Sequence, residues 1–350
     1  MCDTRSVNDS SVTRRRWLAR AASTALAVAC VKFKRASAAG PPRLRIANAS
    51  GGMNLTLAAL MREQRCFEAF GLEPEVLGVS DGAKILGGII GGSVDATFMS
   101  GFGQVFPAIE RGAAIRILAG GALLPLLTLY SARPQVQSLR DLDGRVVGTG
   151  AIGALIHQLT VTLLRKHGVD AGRVRFVNVG SNADVFRAVA AGTVDAGVGE
   201  TALIADAAHY GVHPLANGNM TVELPGYTYQ AAWAGTRVIE SQRDALVRAL
   251  AAYATLYRFV QSPAGHEPFL RARRTVFPRA PEADHEAQWR FIQQYRPFAV
   301  DLVLTPERLR YMQDLNLAFQ VQRRLLPFER VADMSLAADA LKLLAAPAAR

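Results

Sequence analysis

From residue 43 to about residue 235, short apolar runs alternate with longer stretches in which apolar residues recur every three or four positions. The short runs cover 43–47, 75–79, 95–99, 115–119, 126–132, 145–149, 174–179, 195–198 and 228–234, and each reads as a buried strand. The longer stretches, 53–67, 82–90, 102–111, 150–167, 182–191 and 201–210, read as helices, and 134–143 as a crossing segment. Strands alternating with helices of this length predict an α/β fold with largely parallel sheets. From Ile239 onward the pattern is mostly helical, punctuated by Pro263, Pro278, Pro281, Pro297 and Pro306.

One phrase occurs twice, a hundred residues apart. Positions 91–101 read GGSVDATFMSG and positions 191–201 read AGTVDAGVGET. Each copy closes a strand–helix–strand unit, with the Gly-x-Val-Asp turn leading into the last strand. Asp95 and Asp195 are expected to brace those turns. Open α/β sheets bind ligands beyond the carboxyl ends of their strands, so two such units predict two lobes facing each other across a cleft, with closure about a hinge.

The length of 350 residues suits two lobes and exceeds one small core. The net charge of +11 is unevenly spread. Residues 1–40 hold eight Lys and Arg against two acids, or +6, and the other 310 hold 32 against 27, or +5. The folded part is only mildly basic, so no nucleic-acid partner is expected. The basic segment reads as an export signal: Arg14-Arg15-Arg16-Trp17-Leu18 matches the twin-arginine type, and Ala21–Val31 is too short to span a bilayer. Ala36-Ser37-Ala38 fits a cleavage site, giving a signal peptide at 1–38 and a periplasmic protein; lipidation at Cys30 would instead anchor it. Cys66 is then left alone and reads as a small buried apolar residue.

The order and spacing of several stretches resemble the periplasmic solute-binding proteins of ABC importers, in particular the nitrate/sulfonate/taurine binders and their thiamine-precursor-type relatives. The likeness runs from about 43 to 235. It rests on Leu44-Arg-Ile-Ala47, Cys66-Phe-Glu-Ala-Phe-Gly-Leu-Glu-Pro-Glu-Val76, Leu139-Arg-Asp-Leu-Asp-Gly-Arg-Val-Val-Gly148 and the two Gly-x-Val-Asp-Ala copies. The resemblance implies the type II two-lobe fold, with two crossover strands at the hinge and C-terminal helices packed on lobe one. Lobe one would hold 43–131 plus 237–350, and lobe two 136–230. It also implies no catalysis and no cofactor or metal. The chain would be a monomer that captures a small organic solute and passes it to an inner-membrane ABC permease.

The expected strand ends name the cleft loops. Lobe one offers Ser50, Gly52, Met53, Ser80, Ser100, Gly101 and Phe102. Lobe two offers Gly150, Ala151, Ile152, Ser181, Asn182, Glu200 and Thr201, and the returning crossover offers Gln230 and Trp233. Helix N-termini at Met53, Gly150 and Ser181 would point positive dipole ends into the cleft. Asp184, three residues after Ser181, fits a capping box, and His157 lies on an apolar helix face as a structural residue. No Arg lies in these loops, while Asp81 and Glu200 do, so the expected solute brings a hydrogen-bond donor or cationic nitrogen to Glu200 and an apolar body to Phe102 and Trp233. Arg271-Ala-Arg-Arg274 reads as a solvated helix face. Two other readings share the scaffold: an enzyme, and a ligand sensor docking a membrane receptor. No HExxH, CxxC, GxSxG or P-loop pattern supports the enzyme.

Overall fold

The computed structural model describes residues 43–345; the expected signal peptide and cleavage site lie outside the described residues. Ten strands form two five-stranded sheets. The first contains β1 (Arg45–Ala49), β2 (Glu75–Val79), β3 (Ala96–Ser100), β4 (Ile115–Gly120) and β10 (Ala231–Gly235), in the order β2-β1-β3-β10-β4. The second contains β5 (Leu127–Ser131), β6 (Val146–Thr149), β7 (Arg175–Asn178), β8 (Ala196–Glu200) and β9 (His213–Asn219), in the order β7-β6-β8-β5-β9. In each sheet four strands run in one direction and one strand from the far side of a crossover is inserted antiparallel between two of them. β5 enters the second sheet and β10 returns to the first. These are the two crossover strands of the two-lobe fold. β5 therefore belongs with the second sheet, not with 43–131 as the resemblance implied, because it pairs with β8 and β9.

The two crossings are bound to each other. Gly121 N–H donates to the Gln230 carbonyl at 3.0 Å, and Tyr229 and Gln230 N–H both donate to the Ala122 carbonyl at 3.0 and 2.9 Å. An added Cβ at Gly121 would lie 3.1 Å from that Gln230 oxygen, so the crossings meet where side chains do not fit.

Within the first unit α1 (Gly52–Glu63), α2 (Gly82–Gly91) and α3 (Val105–Glu110) alternate with the strands, and within the second α4 (Leu155–Lys166) and α5 (Asn182–Ala190) do so. The short α6 (Met220–Glu223) precedes the return crossing. The C-terminal part is α7 (Thr236–Ser241), α8 (Arg243–Val260), α9 (His266–Val276), α10 (Glu282–Tyr295), α11 (Pro306–Ala318), α12 (Phe328–Val331) and α13 (Ser335–Ala345). α8 is covered by α13, and α9 packs on α1, so much of this part rests on the first lobe. α10 and α11 also reach the second: α10 packs on the 3₁₀ helix Thr201–Tyr210, and Gln158 of α4 donates to Asn316 of α11 at 3.1 Å.

Three local expectations give way to different geometry. The 150–154 stretch is a loop with Gly153 at φ +81°, so α4 begins at Leu155 and Gly150 is no helix N-terminus. Residues 201–210 wind as a 3₁₀ helix interrupted at Asp206. β9 was not expected; its Pro214 is tolerated because β9 lies at the sheet edge, where a missing N–H breaks no ladder. Cys66 is buried beside the last turn of α1, and burial pushes its thiol up to about 11.

Asp95 and Asp195 brace their turns as expected. Asp95 Oδ2 accepts the Arg45 backbone N–H at 2.8 Å, and Asp195 Oδ2 accepts that of Val146 at 2.9 Å. Each turn also carries an arginine bridging the aspartate and the glycine carbonyl three residues before it. Arg45 spans Asp95 and Gly92, and Arg133 spans Asp195 and Gly192.

Candidate functional site

A cavity of about 770 Å³, part of it open to solvent, lies between the carboxyl ends of the two sheets. From the first lobe, Ser50 and Met53 enter at the start of α1, Ser80 at the end of β2, and Ser100 and Gly101 after β3. From the second, Gly150 and Ala151 follow β6, Ser181 and Asn182 open α5, and Glu200 ends β8. Gln230 lines the hinge side. Those expected residues are therefore brought together.

Local chemistry explains why the loops stand where they do. β1 and β3 share only the Ile46–Ala96 register, and beyond it the buried side chain of Asn48 takes over. Its Oδ1 accepts Phe98 and Met99 N–H at 2.9 and 3.0 Å, and its Nδ2 donates to Tyr253 at 2.8 Å. Asn54 of α1 then donates to the Ala49 and Met99 carbonyls, fixing Ser100 and Gly101 beside the α1 entrance. Asp81 caps α2 through Ala83 N–H at 2.8 Å, which engages one oxygen of its carboxylate. Ser181 and Asp184 form the expected capping box on α5, and the Ser181 hydrogen bonds hold the Asp184 carboxyl below its ordinary range.

Gly52 does not line the cavity but lies directly behind Glu200: an added Cβ would sit 2.3 Å from Glu200 Oε1. Four expected residues lie elsewhere. Phe102 is fully buried and packs against Phe106, with ring centroids 5.7 Å apart. Trp233 is fully buried in β10, facing the core of lobe one. Thr201 is buried in a hydroxyl chain between Thr128 and Thr221. Ile152 points outward and is 61% exposed. The aromatic residues failed because burial of a large apolar surface in the core outweighs service in a cleft. His157 is structural as expected: its Nδ1 accepts Gly153 N–H at 3.2 Å, and burial lowers its pKa.

The sequence reading missed Asn54, Gln104, Leu126, Leu155, Ile156 and Tyr229, all of which line the cavity. Gln104 donates its amide to the Gly101 carbonyl at 3.1 Å, and its buried Oε1 has no partner. Leu155 and Ile156 were hidden because α4 starts later than the pattern implied.

Glu200 differs most from expectation. Its side chain crosses the cleft and both its oxygens are held by lobe one. Oε1 accepts Met53 N–H in the first turn of α1 at 3.0 Å, and Oε2 accepts the amide of Gln288 on α10. Arg273 of α9 places Nη1 3.8 Å from Oε2, an ion-pair distance longer than a hydrogen bond. The Arg273 guanidinium lies over the Phe277 ring, 4.6 Å from its centroid. So Arg273 is no part of a solvated face: it is 3% exposed, while Arg271 and Arg274 do face outward and pair with Glu63 and Glu282. Its position four residues after buried Phe269 and four before Phe277 was the overlooked signal. Both Glu200 oxygens are engaged within the protein, so the expected pairing of Glu200 with a hydrogen-bond donor or cationic nitrogen of the solute gains no support from this geometry.

Two α/β lobes, two crossover strands and a cavity at the carboxyl ends of both sheets define the class of two-lobed solute-binding proteins. Residues 68–277 match the family described as ABC transporter, phosphonate, periplasmic substrate-binding protein. The chain belongs to that family and is the substrate-binding component of an ABC importer, which hands a small solute to a membrane permease. No curated protein matches the chain by sequence. Among solved structures, the alkanesulfonate-binding protein SsuA from Xanthomonas axonopodis pv. citri, bound to MOPS, is similar over 87% of this chain and 99% of its own, with TM-score 0.67 and 21% identity. The periplasmic nitrate-binding protein NrtA from Synechocystis PCC 6803 is similar over 87% and 90%, with TM-score 0.68 and 12% identity. The desulfurization enzyme DSZB is similar over 87% and 100%, with TM-score 0.55 and 14% identity.

Proposed function

We propose that the protein is an exported, non-catalytic binder of a compact organic solute that has an apolar body and several hydrogen-bonding groups. The observation that carries this reading is the composition of the cavity wall. Met53, Leu126, Leu155 and Ile156 offer an apolar surface. Ser50, Ser80, Ser100, Ser181, Asn182, Gln104 and Gln230 supply polar contacts, Asp81 and Glu200 are the acids of the wall, and no Lys or Arg takes part. Gln104 is fixed in this wall by the bond from its amide to the Gly101 carbonyl at 3.1 Å. The wall also argues against chemistry of the kind a thiol would supply, since Cys66 is buried with its pKa raised. Family membership supports export to the periplasm, by the signal at 1–38, and action as a monomer beside its permease. Among the described residues no helix is long and apolar enough to cross a membrane.

A thermal-shift screen of the purified protein tests the reading. The panel holds neutral pyrimidines, aromatic acids, polyamines, sulfonates, nitrate and methylphosphonate. A solute that binds only the folded state adds about 2.7 kcal/mol of stability at 100 times its Kd. A neutral, donor-bearing hit that Gln104→Leu abolishes supports the proposal. A panel in which only polyamines or only inorganic anions bind sinks it.

A further inference from the structure

The cluster around Glu200 is built like an anion site that already contains its anion. α1 is 12 residues long, and its N-cap Gly51 has no side chain to satisfy the first-turn N–H groups. Such a helix end favours negative charge. Here the charge comes from the opposite lobe, through the bond from Met53 N–H to Glu200. Independently, Arg273 is 3% exposed, its Nε and Nη1 have no hydrogen-bond partner, and Nη1 points toward the same carboxylate. A buried guanidinium with free donors beside a helix N-terminus has the equipment to hold an oxyanion. Tyr130 Oη donates to the Glu200 backbone carbonyl at 2.9 Å, fixing the end of β8 that aims the side chain.

Resting on the solute-binding reading above, we propose that Glu200 determines which solutes the cleft accepts. Its carboxylate is a resident anion in the seat formed by the α1 N-terminus and Arg273. It clasps the lobes together and excludes solutes that bring a negative group to that seat. An incoming phosphonate or carboxylate must displace Glu200 or share the seat with a like charge, whereas a neutral solute uses the rest of the cavity without disturbing it. The solute class is therefore uncharged at its α1 end.

The test titrates methylphosphonate calorimetrically into the wild type, Glu200→Gln, Glu200→Ala and the double variant Glu200→Ala with Arg273→Met. Solute-free X-ray scattering is recorded on each. Removing the like charge is expected to tighten methylphosphonate binding by roughly tenfold or more in both single variants, through lost Coulomb repulsion, and the double variant loses the gain. Glu200→Ala has a larger radius of gyration than the wild type. Glu200→Gln keeps the shape and the Met53 contact, so it reports on charge if Glu200→Ala does not fold. The proposal is overturned if the wild type binds methylphosphonate as tightly as Glu200→Gln, or if the gain survives loss of Arg273. Neither result touches the solute-binding role, which stands or falls with the thermal-shift panel.

Discussion

The two copies of Gly-x-Val-Asp-Ala do the same work at one end and different work at the other. At the turn, each aspartate accepts a backbone N–H from the neighbouring parallel strand, and each is paired with an arginine that also holds the preceding glycine carbonyl. The arginines come from different places, β1 in one lobe and the segment after β5 in the other, yet they reach equivalent positions. At the cleft the copies part. β3 ends in Ser100-Gly101, and Gly101 lies against α4 of the opposite lobe. β8 ends in Glu200, which crosses to the opposite lobe as a charge. The repeated phrase is a framing device, and specificity sits in the residues that follow it.

The largest expected effect breaks the frame. Asp95→Ala leaves the Arg45 backbone N–H without its acceptor in a nearly sealed turn, at a cost of about 2–3 kcal/mol. Asp195→Ala should cost less, about 1–2 kcal/mol, because the Asp195 side chain is 20% exposed against 5% for Asp95 and water can replace it. Urea unfolding of both variants checks the order, and equal losses would break the claim that the two turns differ in depth.

Next comes the cleft end of the first copy. A Cβ at Gly101 would fall 2.8 Å from Leu155 Cβ, which is not the free end of a side chain. Gly101→Val should therefore hold the lobes apart and weaken solute binding by about tenfold, or 1.4 kcal/mol, with little loss of melting temperature. Scattering and titration on one sample check this; unchanged affinity would show that closure does not depend on that approach.

The smallest effect compares the helices that begin just before each copy. α2 is capped by Asp81 alone, whereas α5 has the reciprocal pair Ser181 and Asp184. Ser181→Ala should cost about 1 kcal/mol at pH 7. The folded pKa of Asp184 is depressed, so its contribution is present above the ordinary aspartate value of about 4 and is lost as pH falls through the folded value. The gap between wild type and Ser181→Ala should therefore narrow in acid. A gap that is constant with pH would remove Asp184 from the cap.

Strand and helix order was legible from 43 to 235 because buried strands and amphipathic helices leave distinct periods in the sequence. The cleft was legible wherever it follows directly from strand ends, as at Ser50, Ser80, Ser100, Ser181 and Glu200. It was illegible where a position depends on packing from far along the chain. Nothing near Glu200 in sequence announces Gln288 or Arg273, which arrive from α10 and α9. Phe102 follows the end of β3 and Trp233 lies in the middle of β10, and local pattern does not say that both side chains turn into the core. β9 was hidden by Pro214 and Gly218, residues that weaken a strand signal without forbidding an edge strand.

Cys66 gives the molecule one more property. In a protein produced from Ala39 onward it is the sole thiol, and it is buried with its pKa raised to about 11. At neutral pH it holds little thiolate to react with a dye. Reporter cysteines placed at Ser80 and Ile152, on opposite lobes, would thus take fluorophores without first deleting the native residue. The protein comes ready to serve as an optical gauge of its own lobe motion.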